Sequence, residues 1–284
     1  MQNPLDTVRT VADLRARVAA WKAAGEKVAM VPTMGALHEG HLSLVELAHT
    51  HADRVVASIF VNPTQFAPGE DFEAYPRGEA RDAGLLAGAG CDLLYAPGLA
   101  EMYAPGFSTT IIVGGVSEAL DGTARPGHFN GVATVVAKLL VQCGPDVAIF
   151  GEKDYQQLQI IRRLVADLDL PVTIIGGPTR RAPDGLALSS RNAYLTPAER
   201  HIAPLLHEVI SEVARAVALG GPVGPAETDA RSRLEAAGFA PVDYVEVRGA
   251  HDLERLGPGP VTGHARVLAA ARLGKTRLID NVAV

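Results

Sequence analysis

Two histidines three residues apart, His38 and His41 in Met34-Gly-Ala-Leu-His-Glu-Gly-His41, follow the apolar run Val28-Ala-Met-Val31 and Pro32-Thr33. They precede a helix-like stretch from Leu42 to Ala52, so the order is strand, loop, helix start. A helix N-terminus offers unpaired backbone N–H groups and partial positive charge, and a glycine-containing turn there with two imidazoles suits phosphate. Such a site points to a nucleotide. Four more polar clusters fall where a strand should end or two domains should join. Asn62 and Gln65 in Val61-Asn-Pro-Thr-Gln-Phe66 follow a buried strand, although Asn-Pro is also an ordinary turn starter. Arg125 opens the loop Arg125-Pro-Gly-His-Phe-Asn-Gly131, where a lone arginine is equally a surface charge. Phe150-Gly-Glu-Lys-Asp-Tyr-Gln-Gln-Leu158 crowds lysine and carboxylate onto a strand-to-helix turn, the place for a phosphate point charge and a ribose acceptor, or simply a solvated helix start. Leu186-Ala-Leu-Ser-Ser-Arg-Asn192 puts two hydroxyls and an arginine on the interdomain connection, as a polar linker would.

The elements that must position these residues alternate. Helices are expected at Thr10 to Ala24, with Thr10 and Asp13 as a capping pair, and at Leu42 to Ala52, Gly78 to Ala87, Val132 to Val141 and Tyr155 to Leu168. Strands are expected at Lys27 to Val31, Arg54 to Val61, Cys91 to Tyr95, Thr109 to Val113, Asp146 to Phe150 and Val172 to Ile175. This alternation predicts an α/β fold, a doubly wound, Rossmann-like parallel sheet that binds ligands beyond the carboxyl ends of its strands. After about Arg180 the pattern changes. Thr196-Pro-Ala-Glu199 is a capping-box start for a helix toward Leu219, a second helix runs from about Glu227 to Ala237, and strands are expected at Asp243 to Arg248, Arg266 to Arg272 and Arg277 to Val284. We therefore expect residues 1–180 to form the larger domain and residues 181–284 a smaller α+β lid.

Composition narrows the function classes. A chain of 284 residues with 48% apolar content fits two modest domains, and it has no unbroken apolar segment near the ~18 residues of a membrane span. Met1-Gln-Asn-Pro-Leu-Asp lacks the basic and apolar regions of a signal peptide. Cys91 and Cys143 have no metal-like spacing, which suits two buried thiols in a reducing cytoplasm. A net charge of −6 disfavours nonspecific nucleic-acid binding. A zincin pairs its histidines four apart on a helix, not three apart across a glycine loop. Gly274-Lys-Thr276 has a P-loop ending, but Ala269 stands where the first glycine must be, so it reads as a turn between strands.

Taken in order, Val31-Pro-Thr-Met-Gly, His38-Glu-Gly-His41, Ser58-Ile-Phe-Val-Asn-Pro, Arg125-Pro-Gly-His-Phe, Phe150-Gly-Glu-Lys-Asp-Tyr-Gln-Gln, Asp184-Gly-Leu-Ala-Leu-Ser-Ser-Arg-Asn and Leu278-Ile-Asp-Asn cover essentially the whole chain. Together they resemble the pantothenate synthetase family, which joins pantoate to β-alanine using ATP, among the nucleotidyltransferases with a paired-histidine signature. Two positions depart from the family pattern. Thr64 stands where methionine is common, and Arg180 where an apolar residue often lies beside the adenine. Other paired-histidine adenylyl- or cytidylyltransferases, and a nonenzymatic nucleotide sensor, are the competing readings. The Gln65 and Gln157 context argues against the former, and turnover would exclude the latter.

The resemblance implies the roles. ATP falls to Met34, Gly35, Ala36, Leu37, His38, Glu39, Gly40 and His41, to Gly151, Glu152, Lys153 and Asp154, and to Arg180, Leu188, Ser189, Ser190 and Arg191. Of these, His41, His38, Lys153 and Arg191 carry catalysis, with Asp154 at the ribose and Leu188 near the base. Pantoate falls to Gln65, Gln157, Asn62 and Arg125, and β-alanine also to Gln65. Neutral amides suit a substrate with a carboxylate and hydroxyls, because each both donates and accepts. Mg2+ is expected on the phosphates, held by their oxygens and water with no protein ligand. A homodimer through the amino-terminal domain is implied, with no nucleic-acid or membrane partner.

Overall fold

The computed structural model describes residues 5–67 and 69–284. The signal-peptide reading rests partly on Met1 to Pro4, which lie outside the described residues. The chain divides into two compact units, Met1–Glu152 with Ile160–Pro178, and Lys153–Gln159 with Thr179–Val284. The expected boundary at 180/181 thus compares with one after Pro178, and Lys153–Gln159 groups with the second unit. Helical periodicity runs unbroken through that segment and gives no sign of the grouping.

In the first unit β1 (Thr7–Val8), β2 (Val28–Thr33), β3 (Arg54–Ile59), β4 (Leu93–Tyr95), β5 (Val147–Gly151) and β6 (Thr173–Gly177) form one parallel sheet in the order β1-β4-β3-β2-β5-β6. Its helices are α1 (Val11–Ala23), α2 (Glu39–His49), α3 (Glu79–Gly88), α4 (Leu99–Met102), α5 (Asp121–Ala124), α6 (His128–Cys143) and α7 (Tyr155–Asp167), the last beginning in the segment grouped with the second unit. Side chains alternate across a strand, and both faces are buried. Ala29, Val31, Val55, Ala57, Leu94 and Ile149 pack with Leu44, Val45, Ala48 and Leu86 of α2 and α3. α1 and α6 pack together and on β2. Cys91 and Cys143 are buried, and burial pushes their thiols up to about 11 and about 12. From β2 the chain runs outward through β3 to β4, then crosses back to β5 and β6 on the other side. The neighbours β2 and β5 therefore mark the topological switch point, where ligands bind at the carboxyl ends of strands.

The strand expected at Thr109–Val113 is absent among the described residues. Its β-branched residues have no ladder partner among the described residues, and Ile112 is 70% exposed. The two-residue β1, too short to read from sequence, closes that edge of the sheet beside β4 instead.

The second unit holds α8 (Pro197–Ile202), α9 (Leu205–Ala218), α10 (Val223–Ala236), and an antiparallel sheet of β7 (Phe239–Gly249), β8 (Ala265–Leu273) and β9 (Thr276–Ala283). Thr196 and Glu199 do form the capping box. The single helix expected toward Leu219 is broken at Pro204, whose ring and missing N–H stop a helix from running through. α10 starts at Val223, before the expected Glu227, because Pro225 sits in its first turn, where no N–H is required. Val209, Ile210, Val213 and Val217 of α9 pack against Val267, Ala269, Ala271 and Leu278 of the sheet.

Candidate active site

The loop leaving β2 is shaped before any side chain could meet a ligand. Gly35 (φ +84) and Ala36 (φ +52) reverse the chain, and a Cβ on Gly35 would stand 3.1 Å from Asp82 Oδ2 and 3.2 Å from Ile59 Cγ2. Asp82, 1% exposed, accepts from the backbone N–H of Ala36 (2.7 Å) and Leu37 (3.0 Å). Thr33 Oγ1 accepts from Gly35 N–H (3.2 Å) and donates to Ser58 O (2.7 Å). The Leu37 side chain is fully buried, worth about 1.5–3 kcal/mol, so the loop is fixed at both ends. Asp82 is a site-shaping residue that sequence reading missed. It lies in α3, and nothing in its spacing connects it to the loop.

α2 begins at Glu39, three residues before the expected Leu42, with His38 as its N-cap. Glu39, Gly40 and His41 are therefore helical, not loop residues. His38 Nδ1 accepts from Gly40 N–H (3.1 Å), and His41 Nδ1 accepts from His38 N–H (3.3 Å), a capping box built from two imidazoles. The rings lie 4.1 Å apart with a 41° tilt. An accepting Nδ1 carries no proton, so this hydrogen-bond network places the proton of each neutral ring on Nε2. Both rings thus carry Nε2–H donors at the positive end of α2, a pairing suited to anionic oxygen.

Gln65 lies on the 3-10 turn Pro63–Gln65; its Oε1 accepts from Asn62 Nδ2 (3.0 Å) and its Nε2 points to Met34 Sδ (3.1 Å). Asn62, 1% exposed, also donates to Gly131 O (3.1 Å), while its Oδ1 accepts from Tyr103 OH (2.8 Å) and Thr64 Oγ1 (2.9 Å). It braces the turn, and Thr64 joins that brace through its hydroxyl. α6 presses on the same turn, so a Cβ on Gly131 would stand 2.4 Å from Thr64 O and 2.7 Å from Gln65 N. Arg125 bonds both oxygens of Glu70 (2.7 and 2.8 Å) and His128 Nε2 (2.9 Å), and His128 Nδ1 donates to Gln65 O (2.8 Å). Burial first, then the Arg125 charge, pushes His128 down to about 4, which keeps the ring neutral in this chain of bonds. Burial would raise Glu70, but the Arg125 hydrogen bonds and charge and the Ala67 N–H hold it below the ordinary carboxylate range. Asn62, expected at the pocket, is bonded directly to Gln65, and Arg125, expected there too, is tied to it through His128.

The chain leaves β5 at Gly151 and passes through the 3-10 turn Glu152–Asp154. In the second unit, the Lys153 carbonyl accepts from Asn281 Nδ2 (2.9 Å), and Lys153 Nζ lies 3.9 Å from Asp154 Oδ2. Gln157 is half-buried on α7. Arg180 has an exposed side chain, and its carbonyl accepts from Leu188 N–H (2.9 Å), closing a hairpin. Inside that hairpin Arg181 bonds both oxygens of the buried Asp280 (2.6 and 2.9 Å) and Gly185 O (3.1 Å). Ser189 caps the turn Ser190–Tyr194 by accepting from Arg191 N–H (3.3 Å). The structure thus sets Gln65 against Met34 of the loop that leads to His38 and His41, and, within the second unit, ties Lys153 and the Arg180–Leu188 hairpin to β9.

A doubly wound parallel sheet with phosphate-suited donors after its switch-point strands defines a nucleotide-binding α/β protein. More narrowly, the chain belongs to the pantoate-beta-alanine ligase family, whose sequence profile matches residues 6–283. It is 65% identical to a pantothenate synthetase of Caulobacter vibrioides over 100% of both chains, and 59% identical to one of Rhodospirillum rubrum over 99% of each. The pantothenate synthetase of Thermus thermophilus has the same fold, with a TM-score of 0.91 at 48% identity over 98% of this chain and 99% of that one. A pantoate-beta-alanine ligase from Francisella tularensis, solved with beta-gamma ATP and beta-alanine, gives a TM-score of 0.83 at 33% identity over 98% and 97%.

Proposed function

We propose that this protein joins (R)-pantoate to β-alanine using ATP, releasing pantothenate, AMP and diphosphate through a noncovalent pantoyl-adenylate intermediate. The observation that carries the reading is the paired-imidazole cap after β2, with the neutral amide of Gln65 set against Met34 of the same loop, in a chain of this family. A pantoate carboxylate oxygen attacks the α-phosphorus, and the bond to the β-phosphate oxygen breaks. The neutral amine of β-alanine then attacks the acyl carbon, expels AMP and loses a proton. Two anions must meet and charge builds on the leaving diphosphate, so positioning and fixed positive charge carry most of the catalysis. His41 and His38 give their Nε2–H donors to the phosphates, with His41 on the leaving oxygen. Lys153 and Arg191 add charge, and Ser189 and Ser190 add hydroxyls. Asp154 takes the ribose, and the backbone around Gly151 and Leu188 takes the base. Gln65 and Gln157 hold pantoate. Magnesium enters as the ATP complex, with phosphate oxygens and water as its ligands.

In this reading the protein is cytoplasmic; among the described residues no helix is long and apolar enough to cross a membrane. It is also a homodimer through the first unit, a reading supported by the β-branched segment Thr109–Val113, which joins neither sheet among the described residues and exposes Ile112. Sedimentation of wild type against Ile112→Lys tests that. Incubation with ATP, magnesium, pantoate and β-alanine tests the activity. AMP and pantothenate in equal amounts support it, and ATP consumption without pantothenate overturns it.

A further inference from the structure

One strand of the second unit touches every segment of that unit assigned above to ATP. Neighbouring residues of a strand face opposite ways, and β9 uses this at Asp280 and Asn281, 4% and 3% exposed. Asp280 shares a face with Leu278, which packs in the helix-covered core, and it grips Arg181 at the base of the Arg180–Leu188 hairpin. Asn281 faces the other way and donates to the Lys153 carbonyl (2.9 Å). Its Oδ1 is held by Arg266, whose guanidinium lies 3.7 Å over the ring of Tyr155, two residues beyond Lys153. Tyr155 OH in turn donates to Ala250 O (2.7 Å). The turn Ser190–Tyr194 also packs on β9. A buried polar pair in the middle of a strand costs desolvation that apolar residues would avoid, so its presence calls for a positioning reason.

We propose that Asp280 and Asn281 are positioning residues for adenylation. Asn281 fixes the main chain from which the Lys153 side chain projects, and Asp280 fixes the hairpin leading into Leu188–Arg191 in the same frame. The inference rests on Lys153 and Arg191 binding the phosphates of ATP. It assigns to Asn281 an effect exerted through Lys153 alone, with no contact to substrate.

The test is a double-mutant cycle of Asn281→Ala and Lys153→Ala, read as the KM for ATP, the KM for pantoate and the rate of diphosphate release. Asn281→Ala should weaken ATP about tenfold, which is about 1.4 kcal/mol, and leave the KM for pantoate within about twofold. In the Lys153→Ala background the same change should have almost no further effect, because groups acting through one another are not additive. Equal effects on both substrates, or a full additive loss in that background, would overturn the proposal. Normal turnover by Lys153→Ala would instead remove the phosphate role on which it rests. Should Asn281→Ala fail to fold, Asn281→Asp, which keeps the shape but opposes an oxygen to the Lys153 carbonyl, is judged by the same readouts.

Discussion

His38 and His41 each engage the backbone through Nδ1 and keep the proton on Nε2, so their orientation is set by the helix start and not by a ligand. Replacing His41 with alanine removes a donor and half of the capping box, and replacing Lys153 removes a charge. Either change should slow diphosphate release by ~10² or more, the scale of losing one oriented electrostatic group, while the protein stays folded by circular dichroism. Near-normal release would take that residue out of the mechanism. Gln65 is the second test at this scale. Loss of a buried hydrogen-bond partner costs ~1–3 kcal/mol, so Gln65→Ala should weaken pantoate by ~5- to 100-fold and affect ATP much less. Calorimetric titration of each ligand measures the division, and a loss confined to ATP would reverse the assignment. The sequence made these residues visible because their types are unusual after a strand. It left Asp82 and Asp280 without a role, since a buried carboxylate is recognised by what it binds and both partners lie far away in the chain.

At the scale of elements, α6 and the turn beneath it act together. Gly131→Ala would drive a methyl group into the Thr64–Gln65 backbone, so it should weaken pantoate about tenfold or more with little change for ATP. Unchanged pantoate affinity would show that the turn does not locate Gln65. His128 adds a pH dependence. It titrates at about 4 when folded against an ordinary 6.5, so the folded state binds fewer protons between those values. Stability is therefore full above about pH 6.5 and falls by on the order of 2–3 kcal/mol as pH drops toward 4. Urea unfolding at pH 7 and pH 4.5 should show a larger loss for wild type than for His128→Gln, and equal losses would refute the assignment. Element types were legible from periodicity, but their ends were not. α2 and α6 both start early, because a histidine cap and the bare glycine cap at Gly127 are not the side chains that mark helix starts.

At the scale of the whole molecule, alternating apolar runs were enough to read a doubly wound sheet followed by a smaller α+β unit, since that pattern depends on burial alone. The grouping of Lys153–Gln159 with the second unit depends on long-range contacts such as Asn281 with Lys153, which no local pattern encodes. The central claim is that the pantoate carboxylate attacks the α-phosphorus of ATP before the amide forms. Turnover of pantoate labelled with ¹⁸O in its carboxylate, with ATP, magnesium and β-alanine, tests it most directly. Mass spectrometry should find one labelled oxygen in the phosphate of AMP and one in the carbonyl of pantothenate. Label in inorganic phosphate formed together with ADP, or AMP that carries none, would contradict it.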